Sequence, residues 1–425
     1  MPTKLPSFSL ASWTILQPTK IDENPTIFIG CMTGMSVDSK ADFTLAIFDN
    51  EGMPVAYQNT TVNLPEDLQR KLAALTRGDP QKITINERST VEAEFTAFLA
   101  DAFIHVIHKT GLAHYPKKNI ILSPHGQAID HQPLADPPYT DILLNGDYLA
   151  GETGYAVISR HRQMPLVVSM AAPLAPVLIK KLFYNKEKNT VLLNGGGIAN
   201  ICVLPKESPN KMIGYDTGPA NGPIDALIQH FLNTPEHGIP KNLFEDIQRE
   251  HFDVDGKLAA HGIIIPRLLK ELLQHEYFKR NTKTKSADRA DFDLPWILQH
   301  TKNDDRPADI IATVSEVVAK TIADCIINAA EGASTEIITY GGLAHNKHIM
   351  QRIQHYLNQS GEFTFAPMHE HHYDPNFFEA LLMAYLGYCA YNNIAVDLNY
   401  CAREGCKKRA AIPGSIDFPT SSLLG

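Results

Sequence analysis

Four short glycine-bearing turns each follow an apolar, strand-like run in this 425-residue chain: Gly30 to Asp38, Gly195-Gly196-Gly197, Asp216-Thr217-Gly218-Pro219 and Gly341-Gly342. Glycine permits positive φ and close backbone approach, and amide groups in such a turn, or at the start of a following helix, favour an anion such as phosphate. In the first of them, "FIGCMTGMSVDSKADFTLAIFD" from Phe28 to Asp49, Asp38 and Asp42 stand near enough to manage a metal ion or a proton. An ordinary hairpin looks the same, and a single glycine turn most often only reverses the chain, so the stretch alone leaves the choice open. A second cluster, "MHEHHYD" with His369, Glu370, His371, His372 and Asp374, carries groups that suit zinc or nickel. Its spacing matches no closed site, and a solvated loop is the better reading.

The elements that must position these turns can be read from periodicity. "TIFIG" and "DFTLAIFD" read as paired strands with "PVAYQNTTVNL" as a third, a small antiparallel meander. Two helical patterns follow, ending at Gly78 and Gly111, and "NIILS" then reads as a buried strand leading into "PHGQ". After a helix around "APLAPVLIKKLFY" the opening theme returns in "TVLLNGGGIANICVL", so a second domain is expected to begin near residue 189. The expected division is an extension over 1–25, a first domain over 26–188, a second over 189–392 that includes the final helix "PNFFEALLMAYLGYCAYNN", and a tail over 393–425. Strands mixed with long helices in both halves predict two α/β domains facing each other across a cleft, and four glycine turns shared between them point to a cleft that holds phosphate.

Composition narrows the class. With 44% hydrophobic and 20% charged residues the chain can bury two cores. A net charge of −9 without a long basic run gives no footprint for nucleic acid or an anionic membrane. The six cysteines show no CxxC spacing, which suggests neither a disulfide framework nor a zinc site and fits a reducing cytoplasm. No apolar run approaches the roughly 20 residues that a membrane span needs.

The words around the turns are similar to those of a known family. "IGCMTGMSVDSKADFTLAIFD" resembles "GxMSGTSxDGxD", "LLNGGGIANICVL" resembles "NLGGIANIT", "YDTGPANGPIDALI" resembles "FDTGPGNxxID", and "YGGLAHNKHIMQRI" resembles "GGGxHNxxLMxxL". With "SPHGQAIDHQP" like "SHGQTxxHxP" and "FFEALLMAYLG" like "EAxAFAxLA", six ordered words from about residue 27 to 385 resemble the anhydro-N-acetylmuramic acid kinase family. The resemblance implies two ribonuclease-H-like domains of the actin and sugar-kinase superfamily with ATP between them. It also implies a reaction in which water opens the 1,6-anhydro bridge of the amino sugar while O6 takes the γ-phosphoryl group of MgATP. That reaction serves bacterial peptidoglycan recycling.

By the same resemblance Gly34, Met35, Ser36, Val37 and Asp38 would approach the phosphates, with Asp38 orienting Mg²⁺ through water. Gly195, Gly196 and Gly197, then Asp216, Thr217, Gly218 and Asn221, and finally Gly341, Gly342 and Asn346 would line the nucleotide, and His125, Gln127 and Glu379 the sugar. The isolated-residue readings beside these are a capping Asp38, a hydrogen-bonded core histidine and a helix-surface glutamate. A homodimer is an open option.

One word departs from the family. "TGYAVISRHRQMPLVVSMAAPL", 153–174, stands where the family has "TGxxVVADFRxxDxAxGGQGAPL", which supplies its general base. The flanks agree, Arg162 included, but the aspartates fall on Arg160 and on about Pro165, neither of which can accept a proton at neutral pH. The catalytic base is therefore unassigned, with Asp38 and a displaced His161 as candidates. Losing general-base help costs about 10²- to 10⁴-fold, which opens two further readings: a nucleotide-binding regulator without turnover, or a kinase of a different sugar.

Overall fold

The computed structural model describes residues 8–33, 39–77, 83–133, 135–167, 174–233, 238–280, 287, 289–401 and 410–419. The chain forms two compact units, one of Met1–Leu182 with Asn376–Gly425 and one of Phe183–Pro375.

In the first unit, β1 (Thr14–Ile15), β2 (Ile27–Thr33), β3 (Lys40–Phe48), β4 (Pro54–Asn63), β5 (Ile120–Pro124), β8 (Ala156–Ser159) and β16 (Ser415–Asp417) make one sheet in the order β1-β4-β3-β2-β5-β8-β16. The β2-β3-β4 meander is antiparallel and β5 and β8 join it in parallel. On one face lie α1 (Glu66–Arg77), α2 (Ile85–Lys109) and α3 (Gly146–Thr153), with β6 (Gln127–Gln132) and β7 (Tyr139–Leu143) as a separate hairpin. Thr84 starts α2 with a capping box shared with Glu87, which satisfies two end amides. Phe43, Phe95, Leu99 and Phe103 fill the core between α2 and the meander.

The second unit begins after α4 (Ala175–Phe183) and repeats the plan. Its β9 (Asn189–Gly195), β10 (Ile198–Leu204) and β11 (Ile213–Pro219) form an antiparallel meander. To these are added β12 (Thr335–Tyr340), parallel to β9, and β13 (Phe363–Pro367), parallel to β12, in the order β11-β10-β9-β12-β13. Between β11 and β12 run α5 (Asn221–Leu232), α6 (Lys241–Glu250), α7 (Lys257–His261), α8 (Pro266–Leu272), α9 (Leu294–Leu298) and α10 (Pro307–Ala330), and α11 (Lys347–Asn358) links β12 to β13. Helix α10 has residues on nearly every face buried, so it is a central rather than a surface helix.

Three expectations change. The final helix, α12 (Phe378–Tyr391), packs on β2, β3 and β5 of the first unit rather than in the second, and is apolar on all sides because it is covered there. Gly30 is not in a turn: it lies inside β2, where a Cβ would strike the carbonyl of Ala380 and the amide of Ala384, so the missing side chain is what lets α12 sit on the sheet. The terminal segments are also structured. Strand β1 pairs with β4, and Trp13 and Ile21 of the expected extension are buried in the core. In the tail β14 (Val396–Asp397) pairs with β15 (Ala410–Ala411), and β16 pairs with β8.

Candidate functional site

In the second unit the glycine words, far apart in sequence, come together. β9 and β10 meet at Gly196 and Gly197, whose carbonyls accept hydrogen bonds from Asn221 (3.0 Å), and from Ala220 (3.0 Å) and Gly222 (3.2 Å), respectively. The hairpin is thereby locked onto the first turn of α5, and the amides of those three residues are used within the protein. β12 runs beside β9 with Tyr340 opposite Asn194, which delivers Gly341 to the same place. Gly341 has φ +79°, and a Cβ there would meet the Asn194 side-chain oxygen and lie 2.9 Å from the carbonyl oxygen of Gly195. A Cβ on Gly342 would lie 3.3 Å from Asn221 Nδ2, and one on Gly195 would enter Leu343. The three turns therefore approach one another as backbone, which only glycine permits.

The polar residues of these words have defined partners. Thr217 Oγ1 donates to the Ala199 carbonyl at 3.2 Å, beside the bulge where β10 and β11 change register. Asp216 accepts from the Ala287 amide at 2.9 Å through one carboxylate oxygen, while its carbonyl accepts from Tyr277 Oη at 2.8 Å, so the residue also braces a loop. Gly218 passes close to the Phe278 ring. Asn346 caps α11, its Oδ1 accepting from the Ile349 amide at 3.1 Å. Asp225, one turn into α5 within the same sequence word, is a feature that residue spacing did not single out. Burial, then the charge of Asp253, pushes its carboxyl up to about 6. Asp253 is itself held by the amides of Leu258 (2.8 Å) and Ala259 (3.0 Å).

In the first unit, His125 and Gln127 follow β5. The His125 amide donates to the Cys31 carbonyl at 2.9 Å, and Thr33 Oγ1 donates to Gln127 Oε1 at 3.3 Å, tying β2 to the segment after β5 and to the start of β6. His125 Nδ1 donates to the Gly126 carbonyl at 2.8 Å, and Nε2 accepts from Arg162 Nε at 2.8 Å. Burial, and then the Arg162 charge, push the imidazole down to about 3, so it is neutral with a committed lone pair. Arg162 is the second residue that sequence reasoning passed over, although it matched the family's arginine. Its guanidinium is buried, which lowers its pKa, and the Glu379 carboxylate and Tyr400 oppose that. His125, Arg162 and Glu379 thus form one electrostatic group, with Glu379 in the first turn of α12.

The base candidates fare differently. Arg160 is exposed, at the end of β8, with φ +62°. Pro165 is buried in a short turn. His161 is buried and hydrogen-bonded to Pro413 O (2.6 Å) and Ser123 Oγ (3.1 Å), and burial pushes it down to about 4, so it is a packed core residue rather than a displaced base. Gly34, Met35, Ser36, Val37 and Asp38 lie outside the described residues. In the histidine-rich segment His371 packs against the Phe183 ring while His369 is exposed. Among the described residues no group of three or more histidines, cysteines or carboxylates could hold a metal.

Five strands in each unit share one order, an antiparallel meander extended by two parallel strands, and glycine turns gather at the strand ends of the second; this plan is that of the actin-like ATPase and sugar-kinase class. Residues 26–418 match the family model described as anhydro-N-acetylmuramic acid kinase. The anhydro-N-acetylmuramic acid kinase of Chromohalobacter salexigens is 33% identical over 368 residues, covering 85% of this chain and 92% of that protein. That of Aliivibrio fischeri is 31% identical over 369 residues, covering 85% and 91%. The chain belongs to the anhydro-N-acetylmuramic acid kinase family. Among solved structures, the ADPNP-bound activator of the 2-hydroxyisocaproyl-CoA dehydratase from Clostridium difficile aligns at TM-score 0.36 and 14% identity, covering 86% of this chain and 96% of that one.

Proposed function

We propose that the chain is an ATP-dependent kinase that opens 1,6-anhydro-N-acetylmuramic acid by hydrolysis and phosphorylates it at O6. Family membership over residues 26–418 carries this reading. In the balanced reaction water adds across the C1–O6 bond, leaving hydroxyl on C1, and O6 takes the γ-phosphoryl group with release of ADP and a proton. Bound MgATP would supply that phosphoryl group and charge neutralisation. The residues of this chain bind and orient. Gly195, Gly341 and Gly342 let the glycine turns gather beside Asn221, and that gathering supports a nucleotide site there. His125, Arg162, Gln127 and Glu379 serve the acceptor, with Arg162 the fixed cation and Glu379 the carboxylate whose charge acts on it. We further propose Asp38 as the Mg²⁺-orienting group and the cytoplasm as the compartment; among the described residues no helix is long and apolar enough to cross a membrane.

A second reading is favoured by one observation: the two family aspartate positions fall on Arg160 and about Pro165, and the lone pair of His125, hydrogen-bonded to Arg162, is engaged. Such a chain would bind nucleotide without turnover. Coupled ADP release with anhydro-N-acetylmuramic acid, beside calorimetric binding of MgATP, separates the two: turnover supports the kinase, and binding without turnover supports the second reading.

A further inference from the structure

The segment Ser159 to Arg162, in which Arg160 stands at a family aspartate position, is held from the C-terminal part of the chain. β16 pairs antiparallel with β8, Ser415 opposite Ser159 and Asp417 opposite Val157. Ser159 Oγ donates to Asp417 Oδ2 at 2.7 Å, and His161 Nδ1 donates to the Pro413 carbonyl at 2.6 Å. A Cβ on Gly414 would lie 2.8 Å from the Ser159 carbonyl, so the two backbones meet there without an intervening side chain. On the other side of Asp417 a Cβ on Gly146 would enter the carboxylate, which puts that carboxylate against the first residue of α3. Tyr400, also from the C-terminal segment, lies within electrostatic reach of Arg162.

We propose that Pro413–Asp417 is a positioning element for the acceptor side, with Asp417 and His161 as positioning residues that act through Arg162. The physical argument is one of constraint. Arg160 turns the chain with φ +62°, so the residues on either side of it, Ser159 and His161, need separate anchors if Arg162 is to keep its guanidinium on His125 Nε2. Asp417 supplies the first anchor through a charge-assisted hydrogen bond, and the Pro413 carbonyl the second. Neither residue reaches the acceptor; both hold the residue that does. The inference rests on the proposed acceptor role of His125 and Arg162.

The test uses the full-length protein, an Asp417→Ala variant and a chain ending at Ile412, each checked for folding by circular dichroism. Loss of a charge-assisted bond predicts about tenfold faster amide exchange across 157–163 and 125–128, with 190–200 in the second unit unchanged. It also predicts an acceptor KM raised about tenfold while the ATP KM stays within about twofold, a split that general destabilisation would not produce. The proposal is overturned if folded Asp417→Ala leaves exchange at 125–128 unchanged, or if both KM values move together. Should the unaltered protein turn over no anhydro sugar, the kinase reading fails, and the exchange measurement still decides the positioning claim.

Discussion

Replacing Gly341 and Gly332 by alanine separates backbone strain from close approach. Both glycines have φ +79° and both lie in the second unit. An alanine held in that region costs about 1–2 kcal/mol, offset by about 0.4–1 kcal/mol from its stiffer unfolded chain, so each variant loses about 1 kcal/mol from this source. Nothing lies within 4 Å of a Cβ at Gly332, and that variant loses nothing more. At Gly341 the new methyl would stand against the Asn194 side chain, 2.9 Å from the Gly195 carbonyl oxygen and 3.1 Å from its nitrogen. The side chain can turn away. The backbone cannot easily retreat, because Gly195 is pressed by Leu343 and the hairpin beyond it is bonded to α5. Overpacking of this kind costs about 1–3 kcal/mol and shifts the turn by a fraction of an ångström. Calorimetric titration with MgATP should then find affinity about tenfold weaker in Gly341→Ala and unchanged in Gly332→Ala. Equal ATP affinities in the two folded variants would refute the claim that the gathered turns form the nucleotide site.

Other substitutions probe the rest. Arg160→Asp should fold like the unaltered protein, because the position is exposed and aspartate tolerates positive φ; if a carboxylate there acts as base, turnover rises by about 10²-fold or more in a coupled ADP assay. Pro165→Asp, by contrast, buries a carboxylate and should cost about 1–3 kcal/mol in thermal unfolding. His125 and His161 are held neutral, at about 3 and about 4 against an ordinary 6.5, so their contribution is complete above pH 6.5 and is lost as pH falls below it. Asp225, raised to about 6, acts in the opposite sense and recovers stability as pH falls from 6 towards its ordinary 3.8. Urea unfolding of His161→Gln should accordingly show a slope between pH 6 and 4.5 that is shallower than that of the unaltered chain by about 1.4 kcal/mol per pH unit. Glu316, buried and bonded to Arg352 at 2.6 and 2.7 Å and to Tyr356, joins α10 to α11; Glu316→Ala should cost about 3 kcal/mol in the same experiment.

Much of this architecture was legible because it rests on local pattern. β-branched runs ended by glycine gave the meanders, and helical spacing gave α2, α10 and α11. The gathering of Gly195, Asn221 and Gly341 followed from their place at strand ends. What stayed hidden depends on contacts across the chain. Which sheet α12 would cover cannot be read from its apolar sequence, and Gly30, by its neighbours a turn residue, is a packing residue only once α12 is in place. Strands of two or three residues such as β1 and β16 carry no periodicity of their own. Arg162 matches the family word, but its role is not legible there, because arginine is normally a surface residue and its partners His125 and Glu379 come from distant segments. The structural contacts of Asp216 and Asn346, one oxygen on the Ala287 amide and one capping α11, are likewise beyond what spacing shows.

The most direct measurement incubates the purified protein with MgATP and 1,6-anhydro-N-acetylmuramic acid in isotopically labelled water and follows the products by mass spectrometry. The account predicts stoichiometric ADP and a 6-phosphorylated amino sugar carrying the label on C1. Unchanged sugar and intact ATP, from folded protein that also fails to bind the nucleotide, would contradict it.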